Sequence, residues 1–249
     1  MRTLISLGAG ASAVLLLLAG CASEEEDSAT ASASTEPSVI DYCTDPLAGN
    51  PETVSAQELA FCQAEAVGTI AGYVQEDYYD DVLVSTSRVN IDPLAVEIKG
   101  TSGTETEDGS WIILVVGKTF VNVDGHWIEA HANSDDEVLQ YQATFPQRFE
   151  AMLNPHLRAL ATNADLQYDV VGTEVVSGYE TTVLSLTVED PETGAMSVNQ
   201  VYVRDDYITV LSETTTTSET GEQHTRKALL TEIDVAQEIV NPMYAEVPE

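Results

Sequence analysis

A long series of short segments in which apolar and polar residues alternate, separated by tight polar turns, limits the folds open to this chain. The period of two begins at about residue 79, and Asp124-Gly125 is typical of a two-residue hairpin turn. Because consecutive segments are joined by local turns, the predicted sheet is antiparallel. The predicted strands are Tyr79–Ile91, Leu94–Lys99, Trp111–Val116, Thr119–Val123, His126–Ala130, Leu166–Val176, Tyr179–Val188, Asn199–Arg204, Tyr207–Thr217 and His224–Ile233.

Helical spacing is found in two other stretches. Ser55 and Glu58 form a capping box, and Leu59, Cys62, Ala66, Ile70 and Tyr73 follow at helical intervals, which predicts a helix that ends near Gly72. Between residues 135 and 163 the apolar spacing is again helical but is interrupted by Pro146 and Pro155. Because proline ends or kinks a helix, this stretch predicts short broken helices.

These elements predict an α+β fold with one domain over residues 40–249. In this fold a curved antiparallel sheet is covered by helices from residues 55–72 and 135–163. Trp111–Val116 is apolar at every position, so we expect each face of that strand to be covered. Glu105–Gly109, just before this strand, is predicted to be a polar turn.

The N-terminus has the pattern of a secretory signal peptide. Arg2 is followed by an apolar run that ends in Leu18-Ala19-Gly20-Cys21, and we assign residues 1–20 to the signal peptide. The ending looks like a bacterial lipobox, in which the cysteine becomes the acylated first residue of the mature protein. Cys21 is therefore the expected lipid attachment site, carrying an acyl chain such as palmitate. The alternative is an ordinary signal peptide with a chance cysteine.

The segment after Cys21 is rich in Ser, Thr, Ala and Glu and has no large apolar residue before Val39. It cannot offset the entropy of ordering by burial, so residues 21–39 are predicted to be a disordered tether. The chain is then expected to be exported and to work outside the cytoplasm, anchored to the cell membrane through Cys21.

Two further cysteines remain, Cys43 and Cys62. In an exported protein an even pair is more often a disulfide than two free thiols, although two buried thiols are the alternative. A loop of this length would stabilise the fold by about 3 kcal/mol in the chain-entropy model. The bond would connect the start of the domain to its first helix.

The charge of the chain limits its partners. With 9 Lys and Arg against 42 Asp and Glu, the formal net charge is −33. This excludes nucleic acid, which requires clustered basic residues, and disfavours attraction to anionic lipid headgroups. The acidity indicates a solvated surface, with cation binding as the alternative.

No catalytic or metal-binding motif stands out, and no cofactor is expected. Val116-Gly117-Lys118-Thr119 lacks the upstream glycine of a phosphate loop and is followed by a strand. His126 and His131 lie five positions apart in a strand segment, which places them on opposite faces. There is no Gly-x-Ser-x-Gly motif, so the chain is not expected to be an enzyme.

Taken in order, these elements resemble the LolA-like lipoprotein carriers, especially the mycobacterial-type (LppX/LprG-like) lipoproteins that carry glycolipids. The resemblance covers nearly all of residues 55–242 and is a pattern of elements. It rests on the early helix after a lipobox and tether, Trp111–Val116, Asp124-Gly125 before Trp127, Leu153-Asn154-Pro155, Tyr168–Glu174, Gly178, Thr182–Val188, Leu230–Asp234 and Ile239–Pro242. The chain is more acidic than is usual for that family.

The resemblance implies an open half-barrel with helices on its concave side, and a gap that holds acyl chains. It implies no catalytic residue. For this chain it implies an actinobacterial-type lipoprotein that binds and transfers lipid or glycolipid, with a membrane transporter as a possible partner. The candidate lipid-binding residues are Trp111, Ile113, Val115, Phe120, Leu184 and Leu186 on the sheet, and Phe149, Met152 and Leu157 on the helices.

Two other functions are open at this point. The first is an envelope-stress sensor or regulatory lipoprotein that acts through a protein partner, in which the gap would be a solid core. The second is an envelope hydrolase with a site that the sequence does not reveal. The same apolar residues could equally form an ordinary core, because a lipid gap and a dry core both require Ile, Leu, Val and Phe.

Overall fold

The computed structural model describes residues 40, 42–101, 110–191 and 193–244. The predicted signal peptide, Cys21, the tether and the Glu105–Gly109 turn lie outside these residues. The described chain forms a sheet with four helices, which belongs to the α+β class that the sequence predicts.

The sheet is antiparallel and open, and it contains twelve strands in the order β1-β8-β9-β10-β11-β12-β2-β3-β4-β5-β6-β7. It consists of two meanders, β2 to β7 and β8 to β12, which meet where β12 pairs with β2, and of β1, which pairs with β8 at the edge. The strands are β1 Thr53–Ser55, β2 Gly72–Tyr79, β3 Val82–Asn90, β4 Ala95–Gly100, β5 Trp111–Val115, β6 Lys118–Val123, β7 His126–Glu129, β8 Gln167–Val176, β9 Tyr179–Glu189, β10 Met196–Val203, β11 Thr209–Thr217 and β12 Gln223–Thr231.

The first helix, α1, spans Ala56–Val67 and is capped by Ser55, whose side chain accepts a hydrogen bond from the Glu58 amide. The stretch between the two meanders contains three short helices, α2 Glu137–Gln142, α3 Phe145–Leu153 and α4 Pro155–Ala161. Both predicted proline interruptions are confirmed, because Pro146 and Pro155 each lie in the first turn of a new helix.

The region after α1 differs from the prediction. The helix ends at Val67, and Tyr73 belongs to strand β2, so the predicted continuation to Gly72 is wrong. The first residue of β2 approaches β3 closely: a Cβ at Gly72 would lie 2.3 Å from the Val89 carbonyl oxygen. The spacing of Ile70 and Tyr73 fits a helix, but the chain from Gly72 to Tyr79 instead pairs with β3 and β12, which satisfies its backbone hydrogen bonds within the sheet.

All four helices pack on one face of the sheet, which we call the helix face; the opposite side is the outer face. Leu59 and Cys62 of α1 lie in a buried cluster with residues of β8, β9 and β10, such as Leu184 and Val201. Phe149 of α3 lies in a separate cluster, which includes residues of β2 to β5. α2 packs over β5 and β6 through Leu139 and Ala143.

The segment before β1 is fixed to the domain. Cys43 and Cys62 form the predicted disulfide. The Tyr207 hydroxyl donates a hydrogen bond to Asp45 Oδ1 and accepts one of 3.1 Å from the Leu47 amide. Burial, followed by the hydrogen bond to Asp45, raises the pKa of Tyr207 to about 12, so its hydroxyl is protonated at neutral pH.

Candidate functional site

Four of the nine candidate lipid-binding residues lie on the helix face or beneath it. Leu184 is fully buried in the α1 cluster, and Leu186 is half-buried against the same cluster. Phe149 is buried in the α3 cluster, with Met152 half-buried beside it. Leu184 and Leu186 come from β9 of the second meander and Phe149 and Met152 from α3, so the set includes residues of both the sheet and the helix layer.

Four others lie on the outer face. Ile112 of β5 pairs with Val121 of β6 and packs with Leu139 of α2, so it points to the helices. Because side chains alternate along a strand, the neighbouring positions of β5 and β6 point away from the helices. These positions are Trp111, Ile113, Val115 and Phe120.

The outer face at β5 has its own network. Trp111 Nε1 donates to Glu97 Oε1 at 3.0 Å, and the Trp111 and Trp127 rings meet edge to face at 4.9 Å. Glu97 also forms ion pairs with Arg88 and Lys99. Trp111 therefore fixes a buried carboxylate on the outer face.

The last candidate, Leu157, lies on α4 and is 49% exposed. Leu160, on the same helix, is also exposed, whereas Arg158 is half-buried and Ala159 is buried. The outward side of this helix is thus apolar, and its inward side includes a guanidinium group.

Part of the helix face is polar. Asp77 on β2 is buried, and its carboxylate accepts hydrogen bonds of 2.8 Å from Gln75 Nε2 and from Ser85 Oγ. Burial raises the pKa of Asp77 above its ordinary value, and the two hydrogen bonds oppose this shift. On β10, Asn199 accepts from the Tyr168 hydroxyl and donates to Thr214 Oγ1.

Arg158 lies between α4 and the sheet, near two tyrosines of the helix face. Burial lowers the pKa of Arg158, and the coulombic interactions with Tyr73 and Tyr168 oppose this shift. Burial is also the main reason that the pKa of each tyrosine is raised to about 12. Sequence reasoning missed Arg158, although an arginine among the leucines of a short helix was a signal that could have been followed.

Within the described ranges, no group of three or more His, Cys, Asp or Glu side chains could hold a metal ion. No described helix has the length and apolar character needed to cross a membrane. The helix face offers mainly apolar side chains, together with hydroxyl and amide groups, the hydrogen-bonded Asp77 carboxylate and the Arg158 guanidinium. This set is suited to holding a chain-like apolar molecule that carries a polar end.

No protein-family model and no curated protein matches the chain. Among solved structures, it is similar to LprF from Mycobacterium bovis, with a TM-score of 0.46 and 12% identity over 75% of this chain and 96% of that chain. It is also similar to the lipoprotein LppX from Mycobacterium tuberculosis, with a TM-score of 0.41 and 15% identity over 75% of this chain and 99% of that chain.

A LolA superfamily protein from Nitrosomonas europaea is a further match, with a TM-score of 0.27 and 10% identity over 78% of this chain and 98% of that chain. LolA-like proteins are similar to this chain in structure.

Proposed function

We propose that this chain is a non-catalytic lipoprotein of the cell envelope that binds acyl lipids or glycolipids between its helices and the concave face of its sheet. The lipid enters the gap with its chains against the apolar residues of the helix face. Transfer follows if the protein releases that lipid to a second membrane or protein. Cys21 supplies the anchor, and residues 21–39 give the domain its reach.

The division of the apolar interior supports this proposal. The buried residues under α1 and those under α3 form separate clusters with no buried residue in common. Half-buried Ala66, Val67 and Ile70 connect each of them to a third cluster. A domain usually has one contiguous core. Separate clusters, with Asp77 and Arg158 among the groups between the helices and the sheet, fit two layers that enclose a ligand.

The residues that the proposal assigns to the lipid are those on the helix side: Leu184, Leu186, Phe149 and Met152. The outer-face residues Trp111, Ile113, Val115 and Phe120, together with the exposed Leu157, contribute to packing or to other contacts. Burying about ten methylenes of one acyl chain is worth roughly 8 kcal/mol before the costs of binding, so the ligand should remain bound through purification.

The test is native mass spectrometry of the full chain carrying Cys21→Ala, expressed in an actinobacterial host. We expect a population with the added mass of an acyl lipid that organic extraction removes. Leu186→Trp should fill the space beside the α1 cluster and abolish the added mass. Thr187→Trp is the matched control, because Thr187 is the next residue of β9, points to the outer face and is exposed.

A protein that contains no lipid, and that melts at the same temperature with and without added lipid, would contradict the proposal. The regulatory lipoprotein would then be the better hypothesis. Loss of the lipid in both tryptophan variants would indicate general disruption of β9 rather than a filled site. Circular dichroism and a cooperative melting transition of each variant check that the fold is retained.

A further inference from the structure

We propose that the bound lipid carries an anionic group, a carboxylate or a phosphate, and that Arg158 binds this group between α4 and the sheet. The inference rests on the proposed lipid-binding function and names the chemical class of its ligand. The ligand is thus a fatty acid or an acidic phospholipid rather than a neutral ester or an uncharged glycolipid.

The first observation is that α4 turns its leucines toward solvent and its arginine toward the interior. Its inward side is formed by residues at helical spacing, of which Ala159 is buried and Pro155 and Arg158 are half-buried. Leu157 and Leu160 are 49% and 63% exposed. A surface helix normally buries its leucines and exposes its arginine. The observed orientation is costly unless the inward charge has a partner.

The second observation is the position of this charge. Tyr73 lies on β2 and Tyr168 on β8, and four strands separate β2 from β8 in the sheet. At about 4.8 Å per strand, five spacings would place them about 24 Å apart on a flat sheet. Tyr73 and Tyr168 both raise the pKa of Arg158 through coulombic interactions, which indicates that the sheet curves enough to bring both rings toward one guanidinium. The charge lies inside the curve.

The third observation is that Arg158 has no acidic partner among the described residues. Arg88, Lys99, Lys118, Arg204 and Lys227 form ion pairs within 4.0 Å. Arg148 and Arg226 form none, but their guanidinium groups lie 3.9 Å from the centre of the Tyr141 ring and 5.7 Å from that of the Tyr79 ring. Among the described residues, Arg158 has neither an ion pair nor a ring contact of this kind. The chain has 42 Asp and Glu, so the lack of a carboxylate partner for Arg158 does not result from a shortage of acidic residues. Both neighbouring phenols have pKa values near 12 and are therefore neutral at pH 7.

Asp77 does not fill this role, because its carboxylate accepts from Gln75 and Ser85 and forms no ion pair in the described structure. Among the described residues, the Tyr73 hydroxyl has no hydrogen-bond partner. The Tyr168 hydroxyl, in contrast, donates to Asn199. The Arg158 guanidinium belongs to the helix layer and the Tyr73 hydroxyl to the sheet, so both layers contribute hydrogen-bond donors to the gap. A carboxylate or phosphate is the acceptor that such donors bind most strongly.

The net charge of −33 does not oppose this assignment once the ligand is inside. At physiological ionic strength the field of exposed carboxylates is screened beyond about 8 Å, whereas a group in the interior is screened much less. The acidic surface therefore slows the approach of an anion, and Arg158 determines its affinity after entry.

The experiment measures binding of cis-parinaric acid and of its methyl ester to the full chain carrying Cys21→Ala. The acid should bind about tenfold to a hundredfold more tightly than the ester, because only its carboxylate can form a charge-assisted hydrogen bond with Arg158. Arg158→Gln should remove the preference for the acid over the ester, and Arg158→Lys should retain part of it. Tyr73→Phe should reduce the preference by a smaller factor.

Arg148→Gln is the matched control, because Arg148 lies on the neighbouring helix with its guanidinium 3.9 Å from the centre of the Tyr141 ring. A second arm compares palmitoyl lysophosphatidic acid with monopalmitoylglycerol as competitors. A preference for the acid alone identifies a carboxylate ligand, and a preference for the lysophosphatidic acid identifies a phosphate; either supports the inference.

In the protein that retains Arg158, equal binding within both pairs of probes would overturn the inference and leave lipid binding intact. A preference that persists in Arg158→Gln would do the same. Binding of none of the four probes would overturn the proposed function together with this inference. The comparison of acid with ester in the protein that retains Arg158 needs no substitution at this position. The result is therefore decisive even if Arg158→Gln does not fold.

Discussion

The indole nitrogen of Trp111 donates a hydrogen bond of 3.0 Å to Oε1 of Glu97. The Glu97 side chain is only 10% exposed, and the same carboxylate forms ion pairs with Arg88 at 3.3 Å and with Lys99 at 3.2 Å. Three donors from β3, β4 and β5 thus converge on one acidic group of the outer face. This network holds together the middle strands of the first meander.

Glu97→Ala should therefore destabilise the protein by about 2 kcal/mol, since it leaves a half-buried indole N–H and two cations without their acceptor. Glu129→Ala is the matched control, because Glu129 forms an ion pair with Lys118 in which both side chains are considerably exposed. That change should cost about 0.5 kcal/mol. Urea unfolding of the two variants gives the comparison, and equal losses would contradict the assigned role of Glu97.

The Cys43–Cys62 disulfide closes a sequence separation of 19 residues and connects the N-terminal segment to α1. The Cys43→Ala/Cys62→Ala variant should lose about 3 kcal/mol of stability in the chain-entropy model. Denaturant unfolding with and without a reducing agent measures this loss, and the reductant should have no effect on the double variant. Two alkylatable thiols in the native exported protein would contradict the pairing.

Asp77 should make stability fall as the pH rises. Its pKa is raised by burial in the folded state, so the folded protein holds the proton more tightly than the unfolded chain does. The contribution is therefore fully present below the ordinary pKa of the carboxyl group and is lost as the pH rises through the raised value. Asp77→Asn should be more stable than the wild type at pH 7, with the difference shrinking toward pH 4.

Thermal unfolding across this pH range measures the effect of Asp77→Asn. Asp165→Asn provides the control, because Asp165 is an exposed carboxyl between α4 and β8. If the melting temperatures of the wild type and of Asp77→Asn changed in parallel with pH, the protonation of Asp77 would not affect the stability of the fold.

His224 should titrate above its ordinary range. Its Nδ1 lies 2.8 Å from Asp80 Oδ2, and this hydrogen bond, with Glu222 nearby, raises the pKa of His224 and lowers that of Asp80. The ion pair contributes to stability between these two values: it is lost as the pH rises through the raised His224 pKa and as it falls through the lowered Asp80 pKa. NMR titration checks this.

Asp80→Asn should lower the titration midpoint of His224, because it removes the carboxylate that contributes most to the raised pKa. His126 serves as the internal control in the same spectra, since it lies on β7, an edge strand separated from β2 by four other strands. An unchanged His224 midpoint in Asp80→Asn would contradict the coupling between the two side chains.

Cys21 is predicted from the sequence to be the lipid attachment site. Cys21→Ala should remove the acyl group, and the protein should leave the membrane fraction or be mislocalised. Metabolic labelling with a palmitate analogue, followed by fractionation, measures both effects. Label that persists in Cys21→Ala would show that the acyl group is attached elsewhere.

The sequence alone determined the local elements and the class of the fold. Hairpin turns such as Asp124-Gly125 and the prolines at positions 146 and 155 act over a few residues, so their effects were predictable from neighbouring positions. The disulfide pair was also predictable, because export and an even number of remaining cysteines left one partner for each. The pairing of β12 with β2, which joins the two meanders, carries no local signal.

Tertiary structure decided which residues face the helices. Strand alternation requires that Ile112 and Ile113 point to opposite sides, but β5 is apolar at every position, so the pattern did not identify the inward side. That choice depends on where α2 and α3 pack, which is a long-range property. The same holds for Arg158: its place inside the curve follows from the docking of α4 and from the curvature that brings Tyr73 and Tyr168 toward it. Contacts between elements far apart in the chain decide such positions, and the periodicity of apolar residues in the sequence does not predict these contacts.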